Sequence, residues 1–82
     1  MDVFEQVKEA ICKVQPGIDA EKITPGASLT DDLEIDSLDM VELTLALEDA
    51  LDLRLPDEEL EGIVTVKDVI SLVEAKLKEK DA

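Results

Sequence analysis

Apolar residues recur at helical spacing in three segments of this chain, and no segment shows the alternation of a β-strand. Asp2 with Glu5 is a candidate cap for the first helix, and Gln15-Pro16-Gly17 predicts its end. One face of this predicted helix, residues 3–14, carries the apolar side chains Val3, Phe4, Val7, Ala10, Ile11 and Val14.

A second helix is predicted from Ser37 to about Leu51. Asp36 can cap it, and Asp39 three positions later completes an approximate capping box, which places Ser37 in the first turn. The apolar stripe of this helix consists of Leu38, Val41, Leu45 and Ala46, widened by Leu43, Leu47 and Leu51.

Two more helical signals follow. Pro56 opens a short turn that runs to Leu60 and ends at Gly62. Thr65 with Asp68 caps a last helix, whose apolar residues are Val66, Val69, Ile70, Val73 and Leu77. The charged segment 76–82 is expected to be a frayed tail. The chain is therefore predicted to be all-α: a small four-helix bundle with three main helices, one short helix and a long first loop.

That loop, residues 16–36, contains Pro16, Gly17, Pro25 and Gly26 and is anchored by Ile18, Ile23, Leu29 and Leu33. A loop of about twenty residues is unusual in a compact domain and tends to be functional. It ends at Ser37. A hydroxyl exposed there lies beside unpaired N–H groups at the positive end of a helix dipole, which would stabilise a phosphodiester.

The charge of the chain restricts its partners. The 82 residues, expected to form a single domain (residues 1–82), include 22 acidic and 8 basic side chains, giving a net charge of −14. No lysine or arginine occurs from Ile23 to Leu53. Such a surface repels nucleic acids and anionic membranes and favours proteins with basic patches.

Catalysis and metal binding have little support in the sequence. The chain has no histidine, so neither a nucleophile–base set nor a metal site is predicted, and no catalytic residue is assigned. A calcium loop starting at Asp32 fails, because Ser37 and Leu43 occupy the positions that need glycine and glutamate. The single cysteine, with no signal peptide and no membrane-spanning stretch, predicts a cytoplasmic protein.

Several short motifs occur together in the order and at the spacing of bacterial acyl carrier proteins. They are Asp32-Leu33, Asp36-Ser37-Leu38-Asp39, Val41-Glu42-Leu43, Ala46-Leu47-Glu48-Asp49, Leu55-Pro56-Asp57-Glu58-Glu59 and Thr65-Val66-Lys67-Asp68-Val69-Ile70. The chain resembles this phosphopantetheine-binding family over roughly residues 3–77.

The resemblance implies a carrier and not an enzyme. A phosphopantetheinyl transferase would attach 4'-phosphopantetheine covalently to Ser37, and the arm would carry acyl groups as thioesters. Acyl-processing enzymes with basic docking patches are the other implied partners, and a monomer is expected. By the same resemblance, the docking residues are Asp36, Asp39, Met40, Val41, Glu42, Glu48, Asp49, Asp57 and Glu61. The implied acyl pocket is lined by Leu47, Leu51, Leu55, Leu60, Ile63 and Val69.

The chain also departs from the family's common pattern. Glu34-Ile35 stands where Gly-Ala usually precedes the Asp-Ser pair, and a large apolar residue there resembles polyketide and nonribosomal carriers. Leu60 and Val69 stand where fatty-acid carriers often have alanine, which suggests a preference for short or branched acyl groups. Fatty-acid and specialised pathways both stay open. The rival function is an unmodified acidic interaction or inhibitor module that binds basic protein surfaces.

Overall fold

The computed structural model of the chain describes residues 2–81, without the side chains of Asp57 and Asp81. Its helices are α1 (Val3–Val14), α2 (Ser37–Leu51), α3 (Asp57–Leu60) and α4 (Val66–Asp81), with a short 3-10 helix at Ala20–Lys22. These elements confirm the predicted all-α bundle of three main helices and one short helix. Among residues 2–81, none of the helices combines the length and the apolar character that a membrane-spanning helix needs.

Local side-chain caps set where the helices begin. Asp2 Oδ1 accepts the N–H of Phe4 at 3.1 Å, which starts α1. At the start of α4, Asp68 Oδ2 accepts the N–H groups of Thr65 and Val64, each at 3.0 Å, and Thr65 Oγ1 accepts the N–H of Asp68. The backbone hydrogen bonds from Thr65 and Val64 hold the pKa of Asp68 below its ordinary value.

The last helix extends through Asp81, beyond Lys76, where the sequence predicted a frayed tail. Lys76 Nζ lies 2.7 Å from Glu59 Oε2, and this hydrogen bond raises the pKa of Lys76. Lys80 Nζ donates to the carbonyl oxygens of Leu51 at 3.4 Å and Asp52 at 3.0 Å. The last turns of α4 therefore contact α3 and the end of α2. Ala82 lies outside the described residues.

The core lies around α1, which packs against both α2 and α4. Burial divides α2 differently from its apolar pattern: Leu38, Val41 and Leu45 are 76%, 54% and 58% exposed. The buried side of α2 includes Thr44, whose hydroxyl donates to the carbonyl oxygen of Met40 at 2.8 Å. The buried apolar residues are Val7, Ala10, Ile11, Ile23, Ala27, Leu29, Leu33, Ile35, Leu43, Leu47, Leu51, Leu55, Val66, Val69 and Val73.

The long loop packs on the core and pairs with the start of α4. Three of its four predicted anchors are buried and Ile18 is half-buried. Ser28 and Thr65 form an isolated antiparallel bridge. Beside it, the N–H of Leu29 donates to the carbonyl oxygen of Val64 at 2.9 Å, and that of Val66 donates to Ala27 at 3.0 Å. These bonds give the irregular loop the backbone partners that buried segments need.

Candidate functional site

Ser37 is the first residue of α2, and its side chain is exposed. Asp36 immediately before it has an extended backbone (φ −91°, ψ −172°) and serves as the N-cap. Asp36 Oδ1 accepts the N–H of Asp39 at 2.9 Å, and Asp39 Oδ2 accepts the N–H of Asp36 at 3.3 Å. The capping box that the sequence suggested is therefore complete, and it fixes the turn that presents Ser37.

The first N–H groups of α2 can receive an anion. The N–H of Met40 donates to the carbonyl oxygen of Asp36 at 2.9 Å, and that of Asp39 is taken by the capping box. The N–H groups of Ser37 and Leu38 precede the first intrahelical bond, at the positive end of the helix dipole. An exposed hydroxyl beside two such donors suits a phosphodiester linkage. The residues present therefore fit a phosphopantetheine group chemically.

The backbone just before this turn is strained. Glu34 has a φ of 55°, in the left-handed region that glycine adopts freely and glutamate does not. Such a residue costs on the order of 1 kcal/mol. Buried Ile35 follows it, and the N–H of Ile35 donates to the carbonyl oxygen of Leu29 at 2.8 Å. The surrounding packing therefore holds this conformation. In the sequence, Glu34 stands where a glycine, which suits a strained backbone, is common.

Gln15, at the end of α1, contacts the same turn. Its Nε2 donates to the carbonyl oxygen of Glu34 at 3.1 Å and to Asp39 Oδ2 at 2.9 Å. In the sequence, Gln15 stands out only as part of a helix stop, because a contact between residues this far apart leaves no mark in local patterns. The structure thus adds one residue to the surroundings of Ser37.

The predicted docking residues differ in their exposure. Asp36, Val41, Glu42, Asp49 and Glu61 are exposed, whereas Asp39, Met40 and Glu48 are half-buried, and the side chain of Asp57 lies outside the described part. Glu48 Oε2 accepts the N–H of Leu55 at 2.8 Å, so this carboxylate also fastens the loop after α2. Leu38, which was not among the predicted docking residues, is the most exposed large apolar residue beside Ser37.

A groove of about 410 Å³ lies beside α2 and extends to α3. Three of the six predicted pocket residues, Leu55, Leu60 and Ile63, line it. Leu47, Leu51 and Val69 are buried in the core and are absent from its lining. The remaining lining residues, which the sequence did not assign to a pocket, are Met40, Val41, Thr44, Leu45, Glu48 and Pro56. The groove therefore runs along α2 where the exposed residues Val41 and Leu45 meet the buried Thr44.

In the part of the chain that the structure describes, no three cysteine, aspartate or glutamate side chains are grouped closely enough to hold a metal ion. The acidic residues around Ser37 contribute hydrogen bonds and negative charge to this site.

Comparison with known proteins agrees with this geometry. Residues 5–73 match the phosphopantetheine attachment site family. The acyl carrier protein of Helicobacter hepaticus is 47% identical over 75 residues, covering 92% of this chain and 97% of the relative. That of Clostridium acetobutylicum is 48% identical over 77 residues (94% and 99%), and that of Bdellovibrio bacteriovorus 46% over 76 residues (93% and 96%). With Ser37 at a capped helix start inside the matched region, the chain belongs to the acyl carrier protein family, non-enzymatic carriers with covalently attached 4'-phosphopantetheine.

Proposed function

We propose that Ser37 is the attachment residue, and that the protein carries acyl groups in fatty-acid synthesis or in a related specialised acyl or polyketide pathway. The observation that carries this proposal is the exposed hydroxyl on the first residue of a capped helix. The chain's other two serines are differently placed: Ser28 Oγ accepts the N–H of Asp31, and Ser71 lies within α4.

Each residue around Ser37 has a defined part in this proposal. Asp36 and Asp39 fix the first turn, and the N–H groups of Ser37 and Leu38 stabilise the negative charge of the linkage. When bound, the prosthetic group supplies a thiol on which acyl groups are held as thioesters. The chain has no histidine that could take the proton of the Ser37 hydroxyl. The carboxylates nearest in sequence, those of Asp36 and Asp39, are engaged in the capping box, so we assign the base to the transferase.

Partner enzymes would dock on the exposed side of α2. Leu38, Val41 and Leu45 form an apolar strip there, and the exposed carboxylates of Glu42 and Asp49 lie on the same helix. Absence of lysine and arginine from Ile23 to Leu53 leaves this surface strongly negative. It suits an apolar patch with a basic rim, on the transferase and on acyl-processing enzymes, with fast and salt-dependent association. The proposed carrier is a cytoplasmic monomer with this face free.

We further propose that the groove beside α2 shelters the acyl chain. Leu60 lines the groove, whereas Val69, the other residue that suggested a small cavity, is buried in the core. A preference for short or branched acyl groups would therefore depend on Leu60. Leu60→Ala should enlarge the groove and slow the hydrolysis of a medium-chain thioester. Equal thioester lifetimes in the wild type and in this variant would contradict the preference.

The attachment proposal is tested by intact mass after incubation with coenzyme A and a broad-specificity phosphopantetheinyl transferase. The wild type should gain one phosphopantetheine and Ser37→Ala none. Ser71→Ala is the matched control, because it removes an exposed serine hydroxyl from another helix, and it should be modified like the wild type. Modification of Ser37→Ala would contradict the assignment. An unmodified wild type would instead favour an acidic interaction module without a prosthetic group.

A further inference from the structure

Gln15 is the C-cap of α1, and its side chain contacts residues on both sides of Ser37. Its Nε2 reaches the carbonyl oxygen of Glu34, three residues before the serine, and Asp39 Oδ2, two residues after it. A side-chain amide carries two N–H bonds in one plane, so one group can serve both acceptors. A single side chain therefore spans the whole turn into α2.

Both acceptors occupy positions on which the turn depends. Glu34 is held in the left-handed region at φ 55°, and Gln15 fixes its carbonyl group. Asp39 Oδ2, the oxygen that Gln15 contacts, also accepts the N–H of Asp36 and so closes the capping box. Loss of the Gln15 amide would loosen the backbone before Ser37 and the helix start around it at the same time.

The amide also fits the charge of this region. A lysine or arginine making the same contacts would place a positive charge beside Asp39, in a stretch of sequence that has none from residue 23 to residue 53. A neutral donor ties the turn without weakening the negative surface beside Ser37.

We propose that Gln15 is a positioning residue, which orients the Ser37 hydroxyl for transfer of phosphopantetheine by fixing Glu34 and Asp39. This inference rests on the proposed attachment at Ser37. Because Gln15 acts on the geometry of the turn and leaves the exposed carboxylates of α2 in place, its loss lowers the kcat of modification and not the affinity for the transferase.

The test is the steady-state kinetics of modification by the transferase with coenzyme A. Gln15→Ala should lower kcat roughly tenfold with KM unchanged, since small misplacements of a reacting group have effects of this size. Gln15→Glu keeps the shape but places a carboxylate against Asp39, and it should lower kcat at least as much. Gln6→Ala is the matched control: Gln6 is half-buried like Gln15 but lies in the first turns of α1, and its replacement should leave kcat and KM unchanged.

Rescue separates positioning from loss of stability. Glu34→Gly should restore part of the kcat of Gln15→Ala, because glycine adopts the left-handed conformation without being held there. The melting temperature of each variant is measured, so that the assays can be run below its unfolding transition. A wild-type kcat in Gln15→Ala, an equal loss in Gln6→Ala, a raised KM at constant kcat, or no rescue by Glu34→Gly would each overturn the inference. Failure of the wild type to be modified would instead reject the attachment at Ser37.

Discussion

The two ends of α2 are each held by a side chain from elsewhere in the fold, one neutral and one charged. At the start, the neutral amide of Gln15 bonds to Glu34 and Asp39. At the end, the ammonium group of Lys80 bonds to the carbonyl oxygens of Leu51 and Asp52. A cation offsets the negative end of the helix dipole, whereas an uncharged donor leaves the positive end able to attract an anion. Lys80 thus places a positive charge at the end of α2, whereas Gln15 adds no charge at its start.

Each end also contains a non-glycine residue in the left-handed region, Glu34 at φ 55° and Asp52 at φ 54°. Asp52 is the C-cap of α2, where a left-handed residue commonly ends a helix, and aspartate tolerates this conformation through local hydrogen bonds. Glu34 has neither advantage. More strain is therefore stored before the helix than after it.

The largest expected effect comes from removing the side chain that closes the start of α2. Asp39→Ala takes away the acceptor for both Asp36 and Gln15, and should lower the free energy of unfolding by about 2 kcal/mol in urea denaturation. Glu42→Ala is the control, since it removes an equal charge from an exposed position on the same helix. If the two variants were equally stable, the capping box would have no energetic role.

Strain before the helix predicts a stabilising substitution. Glu34→Gly should raise the free energy of unfolding by about 1 kcal/mol, because glycine removes the cost of the left-handed conformation. Glu61→Gly is the matched control: Glu61 has an ordinary φ of −59° and is exposed, so the same change there should destabilise the protein slightly. A loss of stability in Glu34→Gly would show that the glutamate side chain makes a compensating contact.

Replacing the left-handed residue after α2 with glycine should change the free energy of unfolding less. Asp52→Gly relieves a smaller strain and loses the contact between Asp52 Oδ2 and Lys80 at 3.2 Å, so the net change should lie within about 0.5 kcal/mol of zero. Chemical denaturation of Asp52→Gly and of Glu34→Gly under the same conditions gives the two free energies of unfolding to compare. A gain as large as that of Glu34→Gly would mean that the two left-handed residues are equally strained.

Salt should distinguish the contacts of the Lys80 ammonium group from those of the Gln15 amide. Lys80→Met should cost about 0.5 kcal/mol at low ionic strength and less in high salt, where the ammonium group is screened. The loss from Gln15→Ala should not shrink in this way, because the amide is uncharged. Unfolding in low and high salt, with Lys78→Met as the control on the same helix, measures both. A loss of stability in Lys80→Met that does not depend on salt would contradict an electrostatic contribution from Lys80.

The smallest expected effect is the pH dependence of the stabilisation that Asp68 gives to the start of α4. Backbone hydrogen bonds from Thr65 and Val64 depress the pKa of Asp68 from its ordinary value of 3.8. Its contribution is therefore fully present above that value and is lost as pH falls through the lower pKa of the folded state. Melting temperatures of Asp68→Asn should approach those of the wild type as the solution is acidified below 3.8. A constant difference across this range would exclude the linkage.

Helix boundaries were predictable because the signals that set them are local. Asp2, Asp36 and Thr65 each precede a periodic apolar segment, and a cap acts within a few residues of itself. The side of α2 that faces the core was harder to identify, because apolar residues occur nearly all round this helix. As a result, Leu38, Val41 and Leu45 were assigned to the main apolar stripe of the helix but are exposed.

The parts of the site that the sequence did not reveal depend on tertiary contacts. Glu48 belonged to the predicted docking residues, but its carboxylate bonds to the N–H of Leu55 and lines the groove. Gln15 contacts Ser37's turn only because α1 packs against α2. Neither role could be read from spacing, since both need partners that the chain brings together only on folding.

The bridge between Ser28 and Thr65 also has a consequence for how the molecule opens. It joins two parts of the chain that are far apart in sequence, with α2 and α3 in the stretch between them. The segment before Ser37 also buries Leu29, Leu33 and Ile35 in the core, so it cannot detach without exposing core side chains. Its amide protons at Leu29, and that of Val66 opposite, should exchange with solvent only through global unfolding, as slowly as those of the core helices.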